Sequence, residues 1–296
     1  MQKSKIKHLI EQRVSCDGLI ETGIKGVQLF RLTQPHQCTP VIYEPMVIAI
    51  VSGAKQAILD GKQYLYDAQQ YMCCSLSIPV EAGTATASPQ EPLLGVCISL
   101  DTKVLTELTI EMETVAGRAN YTPTQQHPPG LALANWDEPF TDALLRLLQL
   151  GDNKTDCAIL GNNRLREVYY ALLNGDAGAT VKQAFGVGND IARTIEVLSS
   201  QLDKPITIED IATQVGMSRA VLHRKFKQAT TMSPMQFIKS MRLNSAAVSI
   251  AKGMNVSEAA MQNGYVSASQ FSREFKRLFG QTPKQWRGDN KQLYLS

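Results

Sequence analysis

Two stretches of this chain read as one segment written twice: IEDIATQVGMSRAVLHRKFK at residues 208–227 and VSEAAMQNGYVSASQFSREFK at residues 256–276. Ile208, Ala212 and Gly216 recur as Val256, Ala260 and Gly264 at an offset of 48. Leu222, Arg224, Phe226, Lys227, Pro234 and Phe237 then recur as Phe271, Arg273, Phe275, Lys276, Pro283 and Trp286 at an offset of 49, so the second copy carries one inserted residue in its turn. Matching at a fixed spacing is the mark of a duplicated structural unit. The residue types fit a helix-turn-helix: a small Ala where two helices cross, a Gly that ends the first helix at positive φ, and apolar residues where the second helix packs back.

In the first copy the spacing predicts a supporting helix over 208–215, a turn at Gly216, and a second helix capped by Ser218 that turns Leu222 and Phe226 inward. Arg219, Ala220, His223, Arg224 and Lys227 are left on its outer face. In the second copy the supporting helix covers 256–263, and Ser267 or Ser269 begins the next helix, with Phe271 and Phe275 inward and Ala268, Ser269, Gln270, Arg273 and Lys276 outward. Such a helix fits the major groove of DNA, where Arg donates two bonds to guanine and Gln or His reaches base edges. Arg219, Lys227, Lys276 and Arg277 suit phosphate contacts. The competing reading is a plain helical array with a solvated basic face. One helix-turn-helix pattern is only moderately specific, and the duplication decides against that alternative.

Between the copies Pro234 opens a helix to about residue 251, with Phe237, Met241, Leu243 or Asn244, and Val248 available for packing. A rod of this kind holds two recognition helices about 34 Å apart, one turn of DNA. Working outward, Gly175, Gly178, Gly186 and Gly188 cluster before a helical region that starts near the capping residue Asp190. The chain is therefore expected to comprise residues 1–174, a linker at 175–189, a DNA-binding domain at 190–288 and a tail at 289–296. Charge divides the same way: fifteen Lys and Arg face eight Asp and Glu from residue 187 onward, a net +7, which leaves −4 for the rest. The basic part is the one suited to a polyanion.

Taken together, Gly264-Tyr265, Ser269-Gln270-Phe271-Ser272-Arg273-Glu274-Phe275-Lys276, Gly280 and Thr282-Pro283 resemble the signature of the AraC/XylS family of bacterial regulators. The first copy matches through Ile211-Ala212, Met217-Ser218, Leu222, Arg224-Lys225-Phe226-Lys227, Ser233-Pro234 and Arg242-Leu243, so the resemblance covers roughly residues 190–288. It implies that Ala220, His223 and Arg224 of the first recognition helix, and Ala268, Ser269, Gln270 and Arg273 of the second, contact bases. Ala220 is smaller than the residue other members carry there. The resemblance further implies a transcription regulator, more in the manner of an activator, with double-stranded DNA and RNA polymerase as partners.

Residues 26–100 are short β-prone runs, at 27–32, 46–51, 56–59, 71–76 and 93–100, punctuated by Gly, Pro and Asp. Ser52-Gly53 and Asp60-Gly61 sit where tight turns would join them. A small antiparallel sandwich or barrel follows, and with Met46–Val51 and Ala87-Ser88-Pro89 before Leu93 it resembles the cupin-like sensor domain of one branch of the family. The expected fold is thus α+β and multidomain: a cupin-like β-barrel with helices, then an all-α double helix-turn-helix domain. After residue 100 helical spacing takes over at 104–108, 140–148 and 160–172, with 121–136 read as a loop. The stretches 140–150 and 160–173 carry apolar residues beyond what one face requires, which fits either an antiparallel pair that makes a homodimer or an intradomain core.

Small barrels enclose ligands, so an unidentified small-molecule effector inside 27–100 is expected. Cys73 and Cys74, adjacent on a strand, should face opposite ways; they are candidate sensor thiols for an electrophile or oxidant, or else buried hydrophobes. The six cysteines form no Cys-x-x-Cys pair, and His8, His36 and His127 form no close pair, so neither a metal site nor a disulfide framework is expected. Neither a Gly-rich phosphate loop nor a Gly-x-Ser-x-Gly elbow appears, so no enzyme activity and no cofactor are expected. At 19% charged and 44% hydrophobic residues, with no apolar run of membrane length and a basic, polar start at residues 1–11, the chain reads as cytoplasmic with no membrane partner.

Overall fold

A computed structural model describes residues 2–115, 130–185 and 190–289. The chain divides into two compact units, one drawn from Met1–Cys38, Glu44–Leu76 and Ala82–Asn189, the other from Thr39–Tyr43, Ser77–Glu81 and Asp190–Ser296. In chain order the elements are helix α1 (Gln2–Arg13), strands β1 (Gly18–Glu21), β2 (Val27–Leu32), β3 (His36–Tyr43), β4 (Met46–Ser52), β5 (Ala54–Leu59), β6 (Lys62–Asp67), β7 (Gln70–Cys74), β8 (Ile78–Thr84) and β9 (Leu93–Ser99), helix α2 (Thr102–Val115), strand β10 (Leu131–Asn135), and helices α3 (Glu138–Leu148), α4 (Lys154–Asn174) and α5 (Gly178–Phe185). Then follow α6 (Asp190–Ser199), α7 (Ile208–Gln214), α8 (Arg219–Thr230), α9 (Pro234–Ala251), α10 (Val256–Gln262), α11 (Ala268–Phe279) and α12 (Pro283–Asp289).

Six strands in the order β1-β2-β9-β4-β7-β10 make one sheet, antiparallel throughout, and four in the order β3-β8-β5-β6 make another. Asp60 and Gly61, at φ 50° and 76°, form the two-residue turn that pairs Leu59 with Lys62 across β5 and β6. Positive φ at both centres matches the right-handed twist of the flanking strands. Strand β6 also packs on β4 and β7, which lays the second sheet against the first. Strand β4 is buried on both faces at Val47, Ile48, Ala49 and Ile50, because α1 covers the side away from the second sheet. Helix α3 joins that cover, with Phe140 stacked on Tyr71 of β7 at 4.3 Å.

Three expectations are corrected here. Residues 131–135, read as loop, are strand β10, hydrogen-bonded along β7; two alanines and a Pro-rich approach hide a strand whose pairing comes from its neighbour. Residues 121–129, with His127, lie outside the described residues. The stretch 175–189, read as linker, contains α5, which buries Val181, Ala184 and Phe185 against α2 and α4; Gly186 and Gly188 lie outside the described residues, as do 290–296 of the tail. Cys73 does share a face with Tyr71 and Cys74 the opposite one, yet both are fully buried, since helices cover what the strand alone suggested was solvent. Burial pushes the Cys73 thiol up to about 12 and Cys74 higher still, opposite to what a reactive sensor thiol requires.

Candidate nucleic-acid interface

The two copies in the second unit repeat each other atom by atom. In each supporting helix the chain leaves through a Schellman turn: Met217 N–H donates to the Ala212 carbonyl at 2.9 Å, and Tyr265 N–H to the Ala260 carbonyl at 3.0 Å. Gly216 and Gly264 occupy the left-handed region there, at φ 69° and 75°. Beyond the insertion, Ser218 Oγ accepts from Val221 N–H at 3.4 Å and Ser267 Oγ from Gln270 N–H at 3.2 Å, so Ser267, not Ser269, caps the second recognition helix. Both α8 and α11 end on a left-handed residue, Thr231 at φ 66° and Gly280 at φ 73°. Each is followed by a box in which Ser233 exchanges bonds with Gln236, and Thr282 with Gln285.

Packing repeats as well. Phe226 meets Phe237 edge to face at 5.2 Å, and Phe275 meets Trp286 in the same manner at 5.9 Å. Leu222 and Phe226 of α8 and Phe271 and Phe275 of α11 are fully buried, as their 3.6-residue spacing requires. Trp286 carries its indole N–H to the Ala247 carbonyl at 3.0 Å, a partner a Phe at that place would not need. Helix α9 packs against α8, α10 and α12 and is common to both copies; its eighteen residues make a rod about 27 Å long.

With those sides buried, the outer faces are fixed. Arg219, Ala220, His223, Arg224 and Lys227 are exposed on α8, and Ala268, Ser269, Gln270, Arg273, Lys276 and Arg277 are exposed on α11. Arg219 is drawn to Glu209 of α7 at 2.9 Å, a solvent-exposed pair of small energy that a phosphate could displace. Each face carries three cationic side chains, spread along α8 from Arg219 to Lys227, while that of α11 begins with small and amide side chains and turns basic at its far end.

Two ion pairs were not read from the sequence. Lys225 of α8 pairs with Asp190 of α6 at 2.9 Å, and Glu274 of α11 with Lys239 of α9 at 2.7 Å. Lys225 and Glu274 are 49 residues apart, the offset that relates α8 to α11, so they are equivalent positions of the repeat with opposite charges, each paired to the helix that precedes its helix-turn-helix. The signal was present in the offset but masked, because opposite charges do not register as a match. Glu274 also accepts from the Tyr265 hydroxyl at 3.0 Å and from Gln270 Nε2 at 3.4 Å. Burial raises this carboxyl, but the bonds from Lys239, Tyr265 and Gln270 outweigh it and hold the group below the usual carboxylate range.

Against known proteins, residues 23–180 match the model of the AraC-type transcriptional regulator N-terminus, and residues 211–289 that of a helix-turn-helix domain. The chain belongs to the AraC family of transcriptional regulators. SoxS, a regulatory protein of Salmonella typhimurium, is 35% identical over 98 residues, which span 33% of this chain and 92% of SoxS. Ada of Escherichia coli, a bifunctional transcriptional activator and DNA repair enzyme, is 36% identical over 90 residues, 30% of this chain and 25% of Ada. The solved structure of ToxT from Vibrio cholerae shares the fold of an AraC-type chain over 90% of this protein and 99% of its own length, at a TM-score of 0.54 and 14% identity. Like that fold, this AraC-family chain couples a sheet-rich domain with helices to a helical DNA-binding domain. Among the described residues no group of three or more His, Cys, Asp or Glu is placed to hold a metal ion, and no helix is long and apolar enough to cross a membrane.

Proposed function

We propose that the chain is a cytoplasmic, sequence-specific transcription activator whose N-terminal half answers to a small molecule and whose C-terminal half reads two successive major-groove segments. The observation that carries this reading is the pair of outer faces, matched in backbone geometry and each free of the core. Ala220, His223 and Arg224 on α8, and Ala268, Ser269, Gln270 and Arg273 on α11, face the bases; Arg219, Lys227, Lys276 and Arg277 hold phosphates. RNA polymerase is the downstream partner. Ile159 and Leu160, exposed on α4, support pairing of two copies through the helices of the first unit.

For the effector, an open cleft of about 760 Å³ lies among α2, α3 and α4, with Leu108, Ala143 and Pro139 as its apolar part and Arg146, Arg166 and Tyr170 at its polar rim. ToxT has been solved with an unsaturated fatty acid bound, which makes such a molecule the first probe. Fluorescence anisotropy of the full chain against random duplex and against its own upstream DNA, at two salt concentrations with and without an unsaturated fatty acid, tests the whole reading. Salt-sensitive binding with a preference for one duplex, shifted by the ligand, is expected. Absence of binding at low salt would overturn it.

A further inference from the structure

We propose that Glu274 is the positioning residue of the second recognition helix, turning the amide oxygen of Gln270 toward the DNA so that Gln270 reads an exocyclic amino group, that of adenine or cytosine. The inference rests on the reading of α11 as a base-contacting helix.

Each copy ties its recognition helix to the helix that precedes its helix-turn-helix, through an ion pair at the same position of the recognition helix, Lys225 to Asp190 and Glu274 to Lys239. In the first copy that tie has no reader beside it: the residue four before Lys225 is Val221, which cannot hydrogen-bond through its side chain. In the second copy the residue four before Glu274 is Gln270, one turn along the same helix face. A carboxylate only accepts, so the amide nitrogen of Gln270 must face Glu274, where it lies 3.4 Å from Oε1, and the amide oxygen faces away. An ammonium at 274 would reverse the amide, since it only donates.

The carboxylate is itself held from two sides. Lys239 and Tyr265 come from α9 and from the turn ahead of α11, at 2.7 and 3.0 Å, and the Glu274 side chain is 20% exposed. Lys239 also cancels the negative charge that would otherwise stand on a surface meant for phosphates. The exchanged charges of the two copies therefore leave the tie intact in both while giving an orientation to the one reader that adjoins it.

Adenine and cytosine present an amino donor in the major groove, whereas guanine and thymine present acceptors at the corresponding places. The test uses the full chain and a duplex enriched by it from a random library. Repeating the enrichment with Gln270→Ala locates the base that Gln270 reads. Replacing that base by an analogue without its exocyclic amino group should weaken binding of the wild-type chain about five- to tenfold. The double variant Lys239→Glu with Glu274→Lys restores the tie in the sense the first copy uses and turns the amide round. It should lose sensitivity to the missing amino group and gain preference for a guanine or thymine edge. Glu274→Gln, which keeps the shape, should relax the preference without reversing it. If no duplex is enriched, the reading of α11 falls, and the role of Glu274 with it. If a duplex is enriched and the amino-group deletion is without effect on the wild type, or the double variant keeps the parent's preference, Glu274 is a structural tie only.

Discussion

At the scale of single residues the two turn glycines look interchangeable in the sequence and are not. A side chain at φ near 70° costs about 1–2 kcal/mol at either position. At Gly216 a Cβ would meet nothing within 4 Å, whereas at Gly264 it would stand 2.5 Å from the Leu202 carbonyl and 3.0 Å from the guanidinium carbon of Arg242. Urea titration of the full chain should therefore show Gly216→Ala losing about 1–2 kcal/mol and Gly264→Ala clearly more; equal losses would mean that the Leu202 backbone yields. Thr231 carries the opposite lesson. It occupies the left-handed place that Gly280 fills in the second copy, and a β-branched residue is strained there. Thr231→Gly should stabilise the chain by about 0.5–1 kcal/mol, the relief of strain less the entropy of a glycine. The reading of Cys73 and Cys74 as sensors fails at this scale too. Both thiols are fully buried and burial raises them, so neither offers the accessible thiolate a sensor needs. A thiol reagent should modify the exposed Cys16 in the native chain and reach Cys73 and Cys74 only after denaturation; prompt native labelling of either would return them to candidacy.

Elements divide into those the sequence makes legible and those that need a neighbour. Helices α7 to α11 are announced by Ser218 and by Ser267 or Ser269 as caps, by Pro234 at the start of α9 and by apolar spacing, and structure and sequence agree there almost residue for residue, whereas α12 was not read as a helix. Strands β3 and β8 carry Pro40 and Pro79, which read as breaks, and β10 has two alanines among its five residues; these three owe their existence to a partner strand. Helix α5 was obscured by the glycines on either side of it. On the recognition helices, function partitions by chemistry: Arg273→Ala should weaken specific binding by about 1–3 kcal/mol and leave random duplex little affected, while Lys276→Ala should weaken every duplex alike and lower the salt slope by about 1. Equal losses on both duplexes for Arg273→Ala would remove it from the base-reading set.

For the molecule as a whole, the duplication and the charge contrast between its halves gave away the regulator, and the family match agrees with them. The N-terminal domain was less legible, because a sheet buried on both faces loses the alternation by which one surface is told from the other. The apolar excess at 140–150 and 160–173 divides accordingly. Helix α3 spends its share on the sheet and on α4, which answers to an intradomain core, while Ile159 and Leu160 stay outside. Sedimentation of the full chain at micromolar concentration should give a dimer that Ile159→Lys dissociates; a monomeric parent would remove pairing from the account.

The exchanged ion pairs also bear on how such a chain assembles. Two near-copies in one polypeptide invite mistaken pairing, with a recognition helix of one copy settling on the scaffold of the other. Here α8 in the place of α11 would bring Lys225 against Lys239, and α11 in the place of α8 would bring Glu274 against Asp190. Each exchanged form would meet like charges where the native one has a bond, so the inversion of sign disfavours that exchange.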